Sequence, residues 1–483
     1  MTTDVTRLIQ YLVLAAVAWP AVAGVGAGVP ADAPAAAPAE AADRYIAAEM
    51  QRQRIPGLAL AVVRHGSPIY LRGYGVATLE HAVPVTPDTV FQIGSIGKQF
   101  TATAVLLLAR EHRLELDDPL SKYLPGIPLG WAQVTLRTML NHQSGIAQLA
   151  PPDRDLLDLH HDYADDEYLR LASSLPLDFA PGSDAAYSDT AYVLLGFVVN
   201  RVSGAFYGDW LAERVFRPLG MSRTRIISDA DIVPDRASGY ETDAQGALRN
   251  QAWVAPALNR TADGSLYSTI LDLARWDEAL YGERVLERRE RERMWTVDAH
   301  RDGRRPLYQY GYGWEVNRLR GHRVVEYDGN WQGFQAAMAR YEDRELTVIV
   351  LTNRSGCRAQ RLAHTVAGFF DAEVAHVGRA RDSDPGRTAR FRALLVEAGQ
   401  SGRLPPALGA TIGPRLTAGW ARALAREWRA IGPVRAVEFA EERAVGGVRE
   451  RIYRVEAERM VDYFTVRYAR DGTIADVDLS REF

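Results

Sequence analysis

The sequence predicts a mixed α/β (α+β) protein in which helices flank one antiparallel sheet and a small α+β module follows. Two β-type runs open the ordered chain, four more occur between residues 310 and 353, and helical patterns fill the interval. Strands and helices in this order favour a mixed domain over an all-helical one. With 483 residues, the chain exceeds what one hydrophobic core usually serves, so we expect one large domain and a smaller one.

The N-terminal segment predicts export. Residues 8–23 are apolar over the length of a signal-peptide core, and Ala21-Val22-Ala23 matches a small-residue cleavage site. We therefore predict a signal peptide over residues 1–23 and a periplasmic or secreted protein. Asp4 offsets the charge of Arg7 before the apolar run, so an uncleaved anchor is the alternative.

Two parts of the chain predict linkers. Residues 24–42 are nearly all Ala, Pro, Gly and acidic residues, a composition that cannot bury a core. Residues 372–386 are rich in Ala, Gly, Asp and Arg. These linkers delimit a large domain over residues 43–371 and a small α+β C-terminal domain over residues 387–483.

The large domain opens with a short helix and a hairpin whose turn is His65-Gly66-Ser67. Helical patterns follow in five segments, residues 90–116, 134–146, 165–175, 187–201 and 261–278. Alternating and β-branched residues then predict antiparallel strands, which with the hairpin form one sheet, over residues 310–316, 322–329, 333–342 and 345–353. A helix over residues 361–370 closes the domain.

The C-terminal region repeats the change from helix to strand on a smaller scale. Helices are predicted over residues 388–399 and 416–431, where Leu416, Trp420 and Leu424 recur at intervals of four. Strand-like runs follow over residues 434–440, 447–457, 462–470 and 473–479. This pattern predicts an antiparallel meander packed with helices.

Composition argues against several function classes. The formal net charge is −4 and no long run of one sign occurs, so nucleic acid is not expected as a partner. The single Cys357 excludes an internal disulfide and a Cys-based zinc site. His160-His161 has no recognisable ligand spacing, so we predict no metal and no cofactor. Apart from the possible anchor, no stable membrane insertion is expected, and the oligomeric state stays unknown.

Ser95 and Lys98 form the first candidate catalytic group. They lie three residues apart at the start of an apolar helix, where the hydroxyl and the amine share one face beside unpaired backbone N–H groups. Lys98 is one of only two lysines among 57 Lys and Arg residues. An ammonium can lose its proton when desolvated and a guanidinium cannot, which indicates a base at this position. Arg-rich coding bias is the alternative explanation.

Two further segments supply candidate partners. Tyr187 precedes the apolar run TAYVLLGFVV, and its phenol beside an ammonium could share the transfer of the Ser95 proton. A buried tyrosine at the start of a core helix is the alternative. In YDGNWQGF, a small residue before Asn330 allows close approach, and an N–H there could complete an oxyanion hole, unless this is an ordinary hairpin turn.

The motifs Ser95-Ile96-Gly97-Lys98, Tyr187-Ser188-Asp189 and YDGNWQGF, in this order, resemble the serine β-lactamase and penicillin-binding-protein superfamily. Class C β-lactamases and their esterase-like and peptidase relatives are the most similar branch, and the resemblance covers about residues 43–370. It implies a β-lactamase/transpeptidase-like antiparallel sheet flanked by helices, plus a helical domain. It also implies that Ser95 is acylated, Lys98 assists it, Tyr187 is the acid and base, and the backbone N–H groups of Ser95 and Asn330 form the oxyanion hole.

The resemblance implies three substrate-binding residues, Asp189, Tyr327 and Gly329, and the sequence departs from the family pattern at the first two. The family's Tyr-x-Asn becomes Tyr187-Ser188-Asp189, so an amide is replaced by a carboxylate that only accepts when ionised. Tyr327 stands where the family usually has Lys or His, a cation that commonly holds a substrate carboxylate. Ser188-Asp189-Thr190 could alternatively be the Ser-Asp-Asn motif of other branches. We prefer the register with Tyr187, because in the other one no residue is placed to act as the base.

Three functions remain open from the sequence. The first is an exported serine hydrolase that cleaves small esters or amides, or peptides, through an acyl-enzyme on Ser95. The second is a β-lactamase or D,D-peptidase that acts on β-lactams or cell-wall peptides. The third is a catalytically weakened binding or regulatory homologue, which the joint presence of Ser95, Lys98 and Tyr187 argues against.

Overall fold

The computed structural model of the chain describes most of the residues after 35. The described residues are 36–149, 156–243, 246–306, 309–319, 321–375, 381–401, 405–406, 433–445, 448–457, 461–469 and 472–482. The predicted signal peptide and the predicted helix over residues 416–431 lie outside them. No helix within the described ranges is long and apolar enough to cross a membrane.

The chain alternates short helices and strands after an opening helix and hairpin. The α-helices are α1 (Ala36–Gln53), α2 (Lys98–Arg110), α3 (Leu136–Leu140), α4 (Asp165–Ser173), α5 (Asp189–Ser203), α6 (Tyr207–Leu211), α7 (Arg217–Leu219), α8 (Ile270–Ala279), α9 (Arg288–Met294), α10 (Ala359–Phe370) and α11 (Pro385–Ser401). The strands are β1 (Gly57–Arg64), β2 (Ser67–Thr78), β3 (Val83–Pro84), β4 (Phe91–Gln92), β5 (Arg225–Ile226), β6 (Tyr240–Thr242), β7 (Leu248–Asn250), β8 (Leu266–Ser268), β9 (Glu315–Leu319), β10 (His322–Trp331), β11 (Phe334–Tyr341), β12 (Leu346–Thr352), β13 (Val434–Val445), β14 (Val448–Ala457), β15 (Val461–Tyr468) and β16 (Ile474–Glu482).

The main sheet joins the opening hairpin to the four later strands, as predicted, but β9 covers Glu315–Leu319 and shares only its first two residues with the run predicted over 310–316. Its order is β3-β2-β1-β12-β11-β10-β9, and neighbouring strands are antiparallel. Both faces of its centre are covered, because alternate residues of β1 enter two separate cores. Leu58, Leu60 and Val62 pack toward α1 and α10, whereas Ala59 and Ala61 pack toward the layer that contains α2, α5 and α8. The predicted antiparallel sheet flanked by helices is confirmed.

The N-terminal linker prediction is wrong at its C-terminal end. Helix α1 begins at Ala36, inside the segment 24–42 that was expected to bury no core. Alanine has the highest helix propensity, and Pro38 is tolerated in a first helical turn. Ala42 and Ile46 are fully buried against the sheet, so packing on β1 and α10 stabilises the helix.

The C-terminal module has its own core. Strands β13, β14, β15 and β16 form a sheet in chain order, which agrees with the four predicted strand segments. Helix α11 begins at Pro385, just inside the predicted linker over residues 372–386. Phe391 of this helix stacks on Tyr453 with ring centroids 4.8 Å apart, and Val466 is buried in the same cluster.

Candidate active site

Ser95 lies in a 3₁₀ turn, Gly94–Gly97, that comes directly before α2. The sequence predicted Ser95 inside the first turn of the helix itself. The tighter turn still brings Ser95 and Lys98 together, because residues i and i+3 eclipse in a 3₁₀ helix. The Lys98 Nζ is 3.0 Å from the Ser95 Oγ. The Ile93 N–H donates to the Leu266 carbonyl at 3.0 Å and ties this turn to β8.

Lys98 is fully buried and its ammonium lies among oxygens. The four oxygen neighbours of its Nζ are the Ser95 Oγ at 3.0 Å, the Tyr187 hydroxyl at 2.7 Å, the Asp189 Oδ1 at 2.6 Å and the Asp263 carbonyl at 2.5 Å. An ammonium has three N–H groups, so at least one of them is shared between two oxygens. The cage therefore fits one compact cation and orders the side chains around it.

Tyr187 lies beside Ser95, the position that the Tyr-x-Asn reading of the motif expects. Its hydroxyl is 2.7 Å from the Ser95 Oγ, and the residue is 37% exposed. The buried Ser188 hydroxyl instead accepts from the Ala191 N–H at 3.1 Å and caps the N-terminus of α5. Ser188 therefore acts as a helix cap, and the side chain of this triplet that contacts Ser95 is Tyr187.

His142 supports the position of Tyr187. Its buried ring lies 4.8 Å from the Tyr187 ring and 4.4 Å from the Tyr310 ring, measured between centroids. Its Nδ1 accepts from the Ser188 N–H at 3.2 Å. Burial, and then the positive charge of Lys98, hold the pKa of His142 well below its ordinary value. His142 is therefore a neutral imidazole that packs between the two tyrosine rings and accepts a backbone hydrogen bond.

Asp189 is the closest side chain to Lys98. Its Oδ1 also accepts from the Tyr187 hydroxyl at 2.7 Å. Burial raises the pKa of this carboxyl, but Lys98 and the hydrogen bonds around it outweigh burial and lower the pKa below its ordinary value. Asp189 is therefore ionised at neutral pH.

Sequence reasoning missed Gln148, which donates to the Asp189 Oδ2 at 2.7 Å and accepts from the Asp189 N–H at 2.7 Å.

Glycines bring the Ser95 turn against β10. A methyl group on Gly329 would lie 1.9 Å from the Ile93 carbonyl oxygen and 2.9 Å from the Ser95 nitrogen. A methyl group on Gly94, whose φ is +52°, would lie 2.6 Å from the Asn330 nitrogen. The two backbone nitrogens predicted for the oxyanion hole thus border the same contact. Only glycine allows backbone segments to approach this closely.

Tyr327 lies two residues before Gly329 on β10. It is 2% exposed, and its ring meets the Tyr310 ring edge-on with centroids 5.5 Å apart. A chain of aromatic contacts therefore runs from Tyr187 through His142 and Tyr310 to Tyr327. The position at which relatives usually carry a cation is part of this aromatic wall.

Asp263 is a second carboxyl at the site that sequence reasoning missed. The one feature of the sequence that could have drawn attention to Asp263 is its position directly before Gly264 in the turn 261–265. Burial, and then the charge of Asp189, raise the pKa of Asp263 to about 6, although Lys98 opposes this rise. Its buried Oδ1 accepts no hydrogen bond from any part of the chain that the structure describes.

The raised pKa of Asp263 predicts a pH-dependent stability difference. An acid whose folded-state pKa of about 6 exceeds its unfolded value of 3.8 destabilises the fold increasingly as the pH rises from 3.8 to about 6, and by a constant amount above that. Two pKa units correspond to about 3 kcal/mol. We compare the free energy of unfolding of Asp263→Asn with that of the wild type. We expect the variant's advantage to be about 1–3 kcal/mol larger at pH 7.5 than at pH 4. Urea unfolding at both pH values measures this difference, and an equal difference at both would contradict it.

Comparisons with known proteins identify the family of the chain. The sequence profile of the family described as Beta-lactamase matches residues 42–368. Penicillin-binding protein 4* of Bacillus subtilis (strain 168) is 28% identical over 321 residues, which are 63% of this chain and 69% of that protein. The D-aminopeptidase of Brucella anthropi is 27% identical over 352 residues, 70% of this chain, and the match spans 64% of that protein, less than two thirds of its length.

Solved structures share the fold. The octameric penicillin-binding protein homologue from Pyrococcus abyssi superposes with a TM-score of 0.62 and 22% identity, over 90% of this chain and 97% of that one. The D-amino acid amidase from Ochrobactrum anthropi SV3 superposes with a TM-score of 0.59 and 24% sequence identity, over 69% of this chain and 97% of that one. The expected β-lactamase/transpeptidase-like fold is therefore confirmed. Since the family profile matches more than half of this chain, the chain belongs to the β-lactamase family and is a serine hydrolase of that family.

Proposed function

We propose that the protein cleaves small amides or esters through an acyl-enzyme on Ser95. The observation that carries this proposal is the contact of three groups: the Ser95 Oγ lies 2.7 Å from the Tyr187 hydroxyl and 3.0 Å from the Lys98 Nζ. A serine needs a neighbouring proton acceptor to become a nucleophile, and the Tyr187 hydroxyl is within direct transfer distance. The backbone N–H groups of Ser95 and Asn330 would stabilise the oxyanion.

The surroundings of the site favour substrates without a free carboxylate. Tyr327 offers a neutral, buried phenol where relatives usually present a cation. Asp189 and Asp263 add negative charge next to Lys98. A substrate carboxylate would therefore meet repulsion without a compensating ion pair. The D-aminopeptidase and the D-amino acid amidase among the similar proteins support amides, and in particular those of amino acids with a free amine.

The sequence prediction of an exported protein supports substrates that occur outside the cytoplasm. Substrates of this kind include amino acid amides and short peptides. Hydrolysis of β-lactams or cell-wall peptides is the alternative, and the similarity to penicillin-binding protein 4* supports it. Because fold does not decide the substrate within such a family, the choice requires a direct comparison of substrates.

The nucleophile is tested with a fluorophosphonate probe. We expect wild-type protein to be labelled at Ser95 and Ser95→Ala to show no labelling and no turnover, because removal of a serine nucleophile abolishes the acyl-enzyme. Ser183→Ala is a matched control, since this exposed serine only donates to the Ala180 carbonyl at 2.7 Å. Equal labelling of wild type and Ser95→Ala would refute the assignment.

The substrate class is tested with three chromogenic substrates: a D-amino acid anilide, an aryl acetate and a cephalosporin. We expect kcat/KM for the anilide or the ester to exceed that for the cephalosporin. Faster cephalosporin hydrolysis would favour the β-lactamase alternative and contradict the role given to Tyr327.

A further inference from the structure

We propose that Asp189 is the terminal acceptor of the Ser95 proton, which reaches it through Tyr187. In this relay, Lys98 stays an ammonium and orders the three oxygens but takes no proton. The inference rests on the proposed function and adds to it the destination of the proton. It also gives the carboxylate that replaces the family's asparagine a specific role.

The direction of the relay follows from counting hydrogens. The Asp189 Oδ1 can only accept, and the Tyr187 hydroxyl donates its single hydrogen to it at 2.7 Å. The hydrogen of the contact between Ser95 and Tyr187, also 2.7 Å long, must then come from Ser95. The Tyr187 oxygen accepts from both Ser95 and the Lys98 ammonium, 2.7 Å away, and so uses both of its lone pairs. Each hydrogen in the chain already points toward Asp189.

Lys98 is a poor acceptor in this arrangement. The Asp189 carboxylate at 2.6 Å and the Asp263 carbonyl at 2.5 Å can only accept from it. A carboxylate in direct contact stabilises an ammonium over a neutral amine. The remaining N–H of the ammonium is directed at the Tyr187 and Ser95 oxygens, where it stabilises negative charge as it develops.

The acylation step balances along this path. The Ser95 Oγ forms a bond to the acyl carbon while the carbonyl π pair moves onto its oxygen. The Ser95 proton passes to the Tyr187 oxygen, and the Tyr187 proton passes to the Asp189 Oδ1. When the bond to the leaving group breaks, the oxyanion reforms the carbonyl, Tyr187 gives its proton to the departing nitrogen or oxygen, and the proton on the Asp189 Oδ1 returns to Tyr187. One negative charge thus moves from the carboxylate to the oxyanion and back, and the charge of Lys98 is constant.

The groups around Asp189 set its pH range. The titratable and charged neighbours are Lys98 of α2, Tyr187 before α5, His142 after α3, Tyr168 of α4 and Asp263 before β8. The lowered pKa of Asp189 keeps it ionised at neutral pH, so its Oδ1 carries no proton before the reaction. Gln148 donates to the Oδ2 and leaves the Oδ1 for Tyr187 and Lys98. As Asp263 ionises near pH 6, its added negative charge makes proton transfer to Asp189 easier.

The decisive variant is Asp189→Asn, which restores the family's Tyr-x-Asn and preserves shape but cannot accept the proton. We expect kcat for an aryl ester at pH 7 to fall at least about 100-fold, within the range for loss of a general base. The pH profile of this variant should also differ from that of the wild type, because the group that accepts the proton has been removed. Asp189→Glu should recover at least about tenfold over the amide variant. Asp166→Asn, which removes an exposed carboxylate paired with Arg170, is the control.

A second measurement needs no variant that could misfold. The rate of wild-type acylation in mixtures of H₂O and D₂O should depend on the deuterium fraction in a curved way, because two protons move. The relay is overturned if this dependence is linear, or if Asp189→Asn keeps the wild-type kcat and pH profile. It is also overturned if the amide variant loses activity equally at every pH. A different result would refute the proposed function itself: wild-type protein that hydrolyses neither esters nor amides and is not labelled at Ser95.

Discussion

Lys98→Arg is expected to lower kcat/KM by about 1,000-fold or more. Lys98 is fully buried, and its single nitrogen contacts four oxygens within 3.0 Å. A guanidinium is planar, is larger and carries five N–H groups in a fixed fork, so it cannot occupy this cage without moving Tyr187 or Asp189. Misplacement of Tyr187 or Asp189 by about 1 Å costs about 100-fold, and interruption of the proton transfer between Ser95, Tyr187 and Asp189 costs about 100-fold or more.

The only other lysine of the chain gives the matched control. Lys122 is exposed and pairs with Asp118 at 2.8 Å, a contact that arginine can reproduce. Lys122→Arg should therefore keep wild-type kcat/KM, since exposed ion pairs contribute little. The comparison uses both variants with the same ester, after circular dichroism has verified that each is folded. Retention of more than a tenth of the activity by Lys98→Arg would show that the cage does not require a single nitrogen.

The sheet could be predicted from sequence because its central strands carry long apolar, β-branched runs. Residues 345–353 and the run from Gly57 are examples, and both became central strands. The start of α1 was missed for the opposite reason. Its Ala and Pro content has no apolar periodicity, and the helix is stabilised by burial of Ala42 and Ile46 against distant strands. Tertiary packing of this kind is not visible in local composition.

At the site, the three groups with motif positions could be named from sequence, and the groups that surround them could not. Ser95, Lys98 and Tyr187 stand at fixed places within recognisable segments. Gln148 reaches Asp189 across 41 residues, and the Asp263 carbonyl reaches Lys98 across 165. These contacts depend on how loops meet after folding. The sequence showed that Asp189 departs from the family, whereas the proposal that it accepts the proton required the directions of the hydrogen bonds around it.

Gly329→Ala is expected to lower kcat by at least about 100-fold, the size of effect seen when an oxyanion-hole donor is lost. The new methyl group would lie 1.9 Å from the Ile93 carbonyl oxygen and 2.9 Å from the Ser95 nitrogen. Both neighbours are backbone atoms, so they cannot rotate away as a flexible side chain could. The Ser95 turn must move away from β10, which separates the two N–H groups expected to stabilise the oxyanion.

The pH dependence distinguishes this loss from that of a relay variant. In Gly329→Ala, Lys98, Tyr187 and Asp189 are all present, so kcat should fall while its pH profile keeps the wild-type shape. In Asp189→Asn, the profile itself should change. Gly130→Ala is the matched control, because no heavy atom lies within 4 Å of the added methyl group. If Gly329→Ala retained wild-type kcat, the contact between the Ser95 turn and β10 would have no part in transition-state stabilisation, and the oxyanion hole would have to be formed by other groups.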